Sequence, residues 1–126
     1  MILGIGVDVV HVRRIDHWLT VPGLPERFFH PEELCAARRR GSTLSLSLAA
    51  RFAAKEAFGK ALGTGLAGIR LRDIKVENTP HGRPDIVLSG TAQERFRAAG
   101  GGRVLLSLTH ERDNAIAMVV IEDGRV

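Results

Sequence analysis

The sequence predicts an α+β fold: a single small domain spanning residues 1-126, in which a mainly antiparallel sheet packs against one long helix. Three observations lead to it. An apolar, β-branched opening run from Ile2 to Val10 is followed by helical patterns rather than by a second strand. A long alanine-rich stretch ends at Leu62, where Gly63 and Gly65 stop it. Two apolar runs near the end, Arg103 to Thr109 and Asn114 to Glu122, lie close enough in sequence to form a hairpin.

After the first strand, Val12 to Leu19 reads as a helix and Pro22-Gly23-Leu24-Pro25 as a turn. A short segment with Arg27, Phe28 and Phe29 leads to a helix that Pro31 opens, where Glu32 and Glu33 suit the positive end of the dipole. This helix carries the single cysteine, Cys35, which has no disulfide partner and is expected as a small, half-buried residue. Gly41-Ser42-Thr43 makes the next joint, and the long helix starts near Ser45 or Ser47, either of which could cap it. Asp73 to Asn78 alternates as a strand, Pro80 to Pro84 reverses the chain, and Asp85 to Ser89 pairs back. Thr91 to Ala99 is helical, and Gly100-Gly101-Gly102 forms a flexible joint before the closing hairpin.

The 126 residues are 44% hydrophobic and 25% charged, enough for one modest core. The net charge is +4, with arginines gathered at Arg13 and Arg14, Arg27, Arg38 to Arg40, and Arg70 with Arg72. Such a surface favours an acidic partner without choosing among polyphosphate, nucleic acid, anionic membrane and acidic protein. No apolar run reaches membrane-spanning length, and the start lacks the pattern of a secretory signal, so cytoplasmic residence is the expectation. Five Phe, one Trp and no Tyr leave little for base stacking, so neither a nucleic-acid nor a membrane partner is expected.

Three segments carry the chemistry. Asp8 sits in the middle of an apolar strand, where an ionised carboxylate needs a cation, hydrogen-bond donors or an edge position. Glu56 and Lys60 are four apart on the long helix and share a face, where a carboxylate could hold a divalent cation and an ammonium could neutralise a neighbouring phosphate. An isolated pair of this kind is most often a solvated helix ion pair contributing a few tenths of a kcal/mol. The strand Val104 to Thr109 ends in polar residues, with Ser107 and Thr109 on one face and His110 at its mouth.

The ordered combination of Gly4-Ile5-Gly6-Val7-Asp8 with Arg14-Ile15, Phe52-Ala53-Ala54-Lys55-Glu56-Ala57 with Lys60-Ala61 and Gly63-Thr64-Gly65, and Ser107-Leu108-Thr109-His110 resembles the small holo-(acyl carrier protein) synthases, a class of 4'-phosphopantetheinyl transferases. The match spans nearly the whole chain. The resemblance implies transfer of the 4'-phosphopantetheine arm of coenzyme A to a serine of an apo acyl carrier protein, leaving adenosine 3',5'-bisphosphate. It implies Mg2+ on Asp8 and Glu56, with Lys60 at the diphosphate and able to protonate the leaving oxygen. Either Glu56 takes the serine proton directly or a water positioned by Asp8 relays it.

The resemblance also places Ser107 and His110 against coenzyme A and includes Lys55, at the ligand or in support of Glu56. Arg51, one turn before Lys55, suits the 3'-phosphate because a guanidinium matches phosphate geometry, and Gly63 and Gly65 either let backbone approach the ligand or simply stop the helix. Larger members of the family carry a second acid where this chain has Val10, which leaves the metal fewer protein ligands; many relatives carry an acid in place of His11. Carrier proteins are acidic along the helix after their modified serine, and Arg14, Arg27 and Phe28 match the family's docking region. The family is trimeric, with coenzyme A between adjacent subunits, and a homotrimer would account for Ala115 to Ile121 being apolar on both faces. The competing reading is a metal-dependent phosphohydrolase acting on nucleotides, which two carboxylates and a lysine would serve equally well.

Overall fold

A computed structural model describes residues 1–125. Strand β1 (Ile2–His11) leads into α1 (Val12–Leu19), α2 (Leu24–Phe28), α3 (Pro31–Arg38) and the long α4 (Leu44–Leu62). The hairpin β2 (Ile74–Asn78) and β3 (Pro84–Leu88), α5 (Gly90–Ala98), and the hairpin β4 (Gly101–Glu111) and β5 (Asn114–Asp123) complete the chain. The expected α+β class holds. The strands form two antiparallel sheets, one of order β1-β5-β4 and a separate β2-β3 pair.

Local chemistry explains the boundaries. His11 caps α1, its Nδ1 accepting from Arg13 N at 3.0 Å, and His30 caps α3 in the same way from Glu32 N at 3.0 Å. Glu33 completes the α3 cap by accepting from His30 N at 2.9 Å. Helix α4 ends on Gly63, which takes the left-handed conformation at φ 81° that an L side chain resists.

Several expectations differ in detail. The segment around Arg27 is a short helix, because Gly23 adopts φ 80° and Pro25 pre-sets the first turn. Neither Ser45 nor Ser47 caps α4, which starts one residue before Ser45; their hydroxyls bond Asp16 and Arg51 instead. Cys35 is exposed, because it lies on the side of α3 opposite Leu34 and Ala37.

The core lies between α4 and one face of the three-stranded sheet. Alternation turns Gly4, Gly6, Asp8 and Val10 of β1 towards α4, and the register places Ala115, Ala117, Val119 and Ile121 of β5 beside them. Helix α4 meets them with Ala53, Ala57 and Ala61, whose small side chains let backbone approach backbone. The other sheet face is open: Ile5, Val7 and Val9 are 62%, 55% and 54% exposed, and their neighbour Met118 is exposed as well. Among the described residues, helices therefore cover a single face of this sheet.

Candidate active site

The closeness of β1 to α4 builds the first part of the site. A Cβ on Gly4 would stand 1.8 Å from the Ala61 carbonyl oxygen, and one on Gly6 would stand 2.0 Å from that of Ala57. Only glycine admits this approach. It carries the next side chain on the same strand face, Asp8, to the helix, where Lys60 Nζ donates to Asp8 Oδ1 at 3.0 Å and to the Val7 carbonyl at 3.0 Å.

Glu56 is half-buried on the same helix. Burial raises its carboxyl above the ordinary glutamate value, and the charge of Asp8 pushes it the same way; Arg14 and Lys60 oppose both. Asp8, Glu56, Lys60 and Arg14 thus converge. Two facing carboxylates at mutual electrostatic cost are what a divalent cation relieves. The described residues contain no group of three or more His, Cys, Asp or Glu able to hold a metal, and Val10 is fully buried in the core. Two carboxylates fit magnesium, which keeps several waters and binds through one or two protein acids.

A second cluster lies nearer the start of α4. A cavity of about 330 Å³ is lined by Arg40, Ser47, Arg51, Asn78, Leu108 and His110, among others. Arg51 bonds the Ser47 side chain through one guanidinium nitrogen, while its buried Nε has no partner. Burial lowers the Arg51 pKa from its ordinary value, and the charge of Arg40 does so further, against the pull of Glu33. A desolvated guanidinium beside a second arginine and a histidine suits a phosphate.

The expected site residues therefore divide. Asp8, Glu56 and Lys60 come together, and so do Arg51 and His110. Ser107 does not join His110, because the strand period turns it to the open face opposite Met118 and Val7. Gly63 and Gly65 form the turn after α4, where Gly65 N donates to the Gly59 carbonyl at 3.0 Å. Arg14 lies over the rings of Trp18 and Phe52 at 5.4 and 5.5 Å, and Phe28 packs on the same rings beside Arg27.

Lys55 is a correction. Expected at the coenzyme or supporting Glu56, it is completely buried, and its ammonium donates to Glu33 Oε1 at 2.7 Å and to the Leu71 and Ile74 carbonyls at 2.8 and 2.6 Å. Three acceptors occupy its three protons, so none remains for a phosphate. Residues 55 and 56 point to different sides of α4. Sequence reasoning missed Glu33 as the partner, although an acid at the third helical position after a capping residue was the available signal.

An acid on a strand, a glutamate and lysine one turn apart beside it, and an arginine-lined cavity suit a class of protein that would handle a phosphorylated ligand next to an acid pair. The sequence matches the family model of the 4'-phosphopantetheinyl transferase superfamily over residues 4–118. It is 54% identical to the holo-[acyl-carrier-protein] synthase of Treponema denticola, over 97% of this chain and 99% of that one. The crystal structure of holo-[acyl-carrier-protein] synthase from Neisseria meningitidis superposes with a TM-score of 0.88 at 36% identity, covering 98% of this chain and 100% of that one. The corresponding Bacillus anthracis protein, solved in complex with CoA (3',5'-ADP), gives 0.80 at 36% identity, with 98% of each chain covered. The chain belongs to the 4'-phosphopantetheinyl transferase superfamily, in its holo-[acyl-carrier-protein] synthase branch. None of these relatives lends support to the phosphohydrolase expectation.

Proposed function

We propose that the protein transfers the 4'-phosphopantetheine arm of coenzyme A to a serine hydroxyl of an apo acyl carrier protein. The observation that carries this reading is the junction of β1 and α4, where Lys60 pairs with Asp8 while Glu56 stands beside both. In the reaction the serine oxygen bonds to the β-phosphorus of coenzyme A as the bridging P–O bond breaks, releasing adenosine 3',5'-bisphosphate. Asp8 and Glu56 would hold Mg2+, which when bound neutralises the diphosphate and charge developing on it.

The chain's own groups supply the rest. Glu56, whose carboxyl burial raises above the ordinary glutamate value, accepts the serine proton in this reading. Lys60 places an ammonium at the leaving phosphate and can donate a proton to it. Arg51 takes the 3'-phosphate through its guanidinium in the cavity that it lines with His110. Exposed Arg14, held over Trp18 and Phe52, meets acids on the carrier protein, and Arg27 with Phe28 extends that face.

The unit that acts is a homotrimer in this reading. Ile5, Val7, Val9 and Met118 present an apolar sheet face that a second and third copy would cover. Ser107 lies on that face and would join a cleft completed by a neighbouring subunit. Among the described residues no helix is long and apolar enough to cross a membrane. We place the enzyme in the cytoplasm on the ground that its two substrates meet there.

Mass spectrometry of an apo acyl carrier protein incubated with the protein, coenzyme A and magnesium tests the function. A gain of about 340 Da, one covalently transferred arm, that is lost with Glu56→Ala and with a chelator is the expected result. Cleavage of coenzyme A with no gain on any carrier would overturn it in favour of hydrolysis.

A further inference from the structure

Beside the proposed docking helix lies a groove of about 310 Å³ between α2 and the loop that precedes β2, lined by Arg27, Phe28, Ile69, Arg70, Leu71 and Arg72. Its chemistry is divided. Phe28, Ile69 and Leu71 are half-buried and form an apolar floor, while Arg27, Arg70 and Arg72 are exposed around it. Among the described residues, no side-chain hydrogen bond or ion pair engages these three guanidinium groups. Three unpaired cations held around an apolar floor match a segment that is acidic on its flanks and apolar along one stripe.

Both walls are held in place. The Lys55 ammonium ties down the Leu71 and Ile74 carbonyls from the core. Thr91 accepts from Arg70 N at 2.8 Å and donates to Asp73, which fixes the loop on its other side. Phe28 packs against Trp18 at 4.9 Å and Phe52 at 5.9 Å between ring centres. The same two rings carry Arg14, whose charge reaches Glu56. One surface therefore runs from the acid pair, across the aromatic cluster, into the arginine groove.

We propose that this groove is a second contact for the carrier protein, in which Arg70 and Arg72 receive an acidic, apolar-striped segment of the carrier away from its modified serine. The inference rests on the transferase reading and adds to it residues from an element that the sequence pattern did not connect with docking. Because the arginines are at the rim, they act on encounter and on selection among carriers, and the phosphoryl transfer itself does not depend on them.

The test is steady-state transfer by the full-length protein carrying both Arg70→Glu and Arg72→Glu, with the double variant Arg97→Glu and Arg125→Glu as a charge-matched control. The expected result is a rise of roughly tenfold in KM for the carrier protein, as for reversed rim charges, with a flatter salt dependence. KM for coenzyme A, kcat at saturating carrier and thermal midpoint stay at their wild-type values. Replacing single acidic residues of the carrier with lysine should locate one that restores the double variant while impairing the wild type. An unchanged carrier KM, an equal rise for both substrates, or the absence of any restoring charge swap would overturn the groove while leaving the transferase intact. A wild-type protein that modifies no carrier would overturn the transferase reading, and the groove with it.

Discussion

Gly6 of β1 lies against Ala57 of α4 so closely that a Cβ at residue 6 would stand 2.0 Å from the Ala57 carbonyl oxygen. Nothing flexible is available to move aside, since the obstacle is helix backbone. This contact sets the distance at which Lys60 meets Asp8, so the packing of two small residues positions the charged ones. Gly6→Ala is expected to cost about 1–3 kcal/mol by overpacking. By lifting α4 from β1, it should also reduce transfer far more than binding of adenosine 3',5'-bisphosphate at the Arg51 cavity. Calorimetric titration of that nucleotide beside a transfer assay checks the split, and a fully active Gly6→Ala protein would contradict it.

Glu56 is expected to make the protein less stable at neutral pH. Its folded pKa is raised, chiefly by burial and then by Asp8. The folded state therefore holds this proton more tightly than the unfolded state does. The stabilisation is present below the unfolded pKa and is lost as pH rises through the folded one. Glu56→Gln should accordingly melt higher than the wild type at pH 7 without magnesium, and the two should converge below about pH 3, well under the ordinary glutamate value of about 4.3, where the carboxyl is protonated in both states. Magnesium should raise the melting temperature of the wild type and leave that of Glu56→Gln nearly unchanged. Melting curves across this pH range decide it; a variant that is less stable at pH 7 would show that ionised Glu56 is net favourable.

Lys55 separates stability from ligand binding. Its ammonium is buried against Glu33, and burial pulls its pKa down from the ordinary lysine value while Glu33 resists. Removing one member of a buried pair leaves the other charge uncompensated, at about 3–5 kcal/mol. Here Glu33 keeps bonds from His30 N and Val76 N at 2.9 and 3.1 Å, which puts Lys55→Met at the lower end of that range. Urea unfolding should show this loss, while the folded fraction at low temperature keeps the wild-type KM for coenzyme A. A raised KM with stability intact would return Lys55 to the ligand.

The contrast between Lys55 and Lys60 shows what was legible in the sequence. Element order followed from periodicity and from glycine and proline punctuation, which act over a few residues. Asp8 was legible because a charge in an apolar strand needs a reason, and Glu56 with Lys60 because they share a helical face. Lys55 was not, since its role depends on Glu33, twenty-two residues away. Arg70 and Arg72 were visible only as charge, because their position beside Phe28 comes from tertiary packing. Likewise, strand alternation placed Ser107 and Thr109 on one face, but only the sheet register turned that face away from α4 and from the cavity holding His110.

That outward face supplies the last prediction. Val7 pairs with Met118, and Met118 pairs with Ser107 across the next strand. A residue proposed to contact coenzyme A thus shares a row with two exposed apolar side chains. If copies pack on this row, a charge at its centre must be desolvated without a partner, which a subunit interface does not tolerate. The same charge on a separated protomer remains in water and costs the fold little. The wild type is then expected to sediment as a trimer and Val7→Asp as a folded monomer, whose transfer activity should fall at least as steeply as that of a variant at Ser107. Adding back a Glu56→Ala protein with an intact outer face would not restore activity, because the Val7→Asp chain cannot dock to it. A wild-type monomer that is fully active, or a Val7→Asp trimer, would show that the exposed row serves something other than assembly.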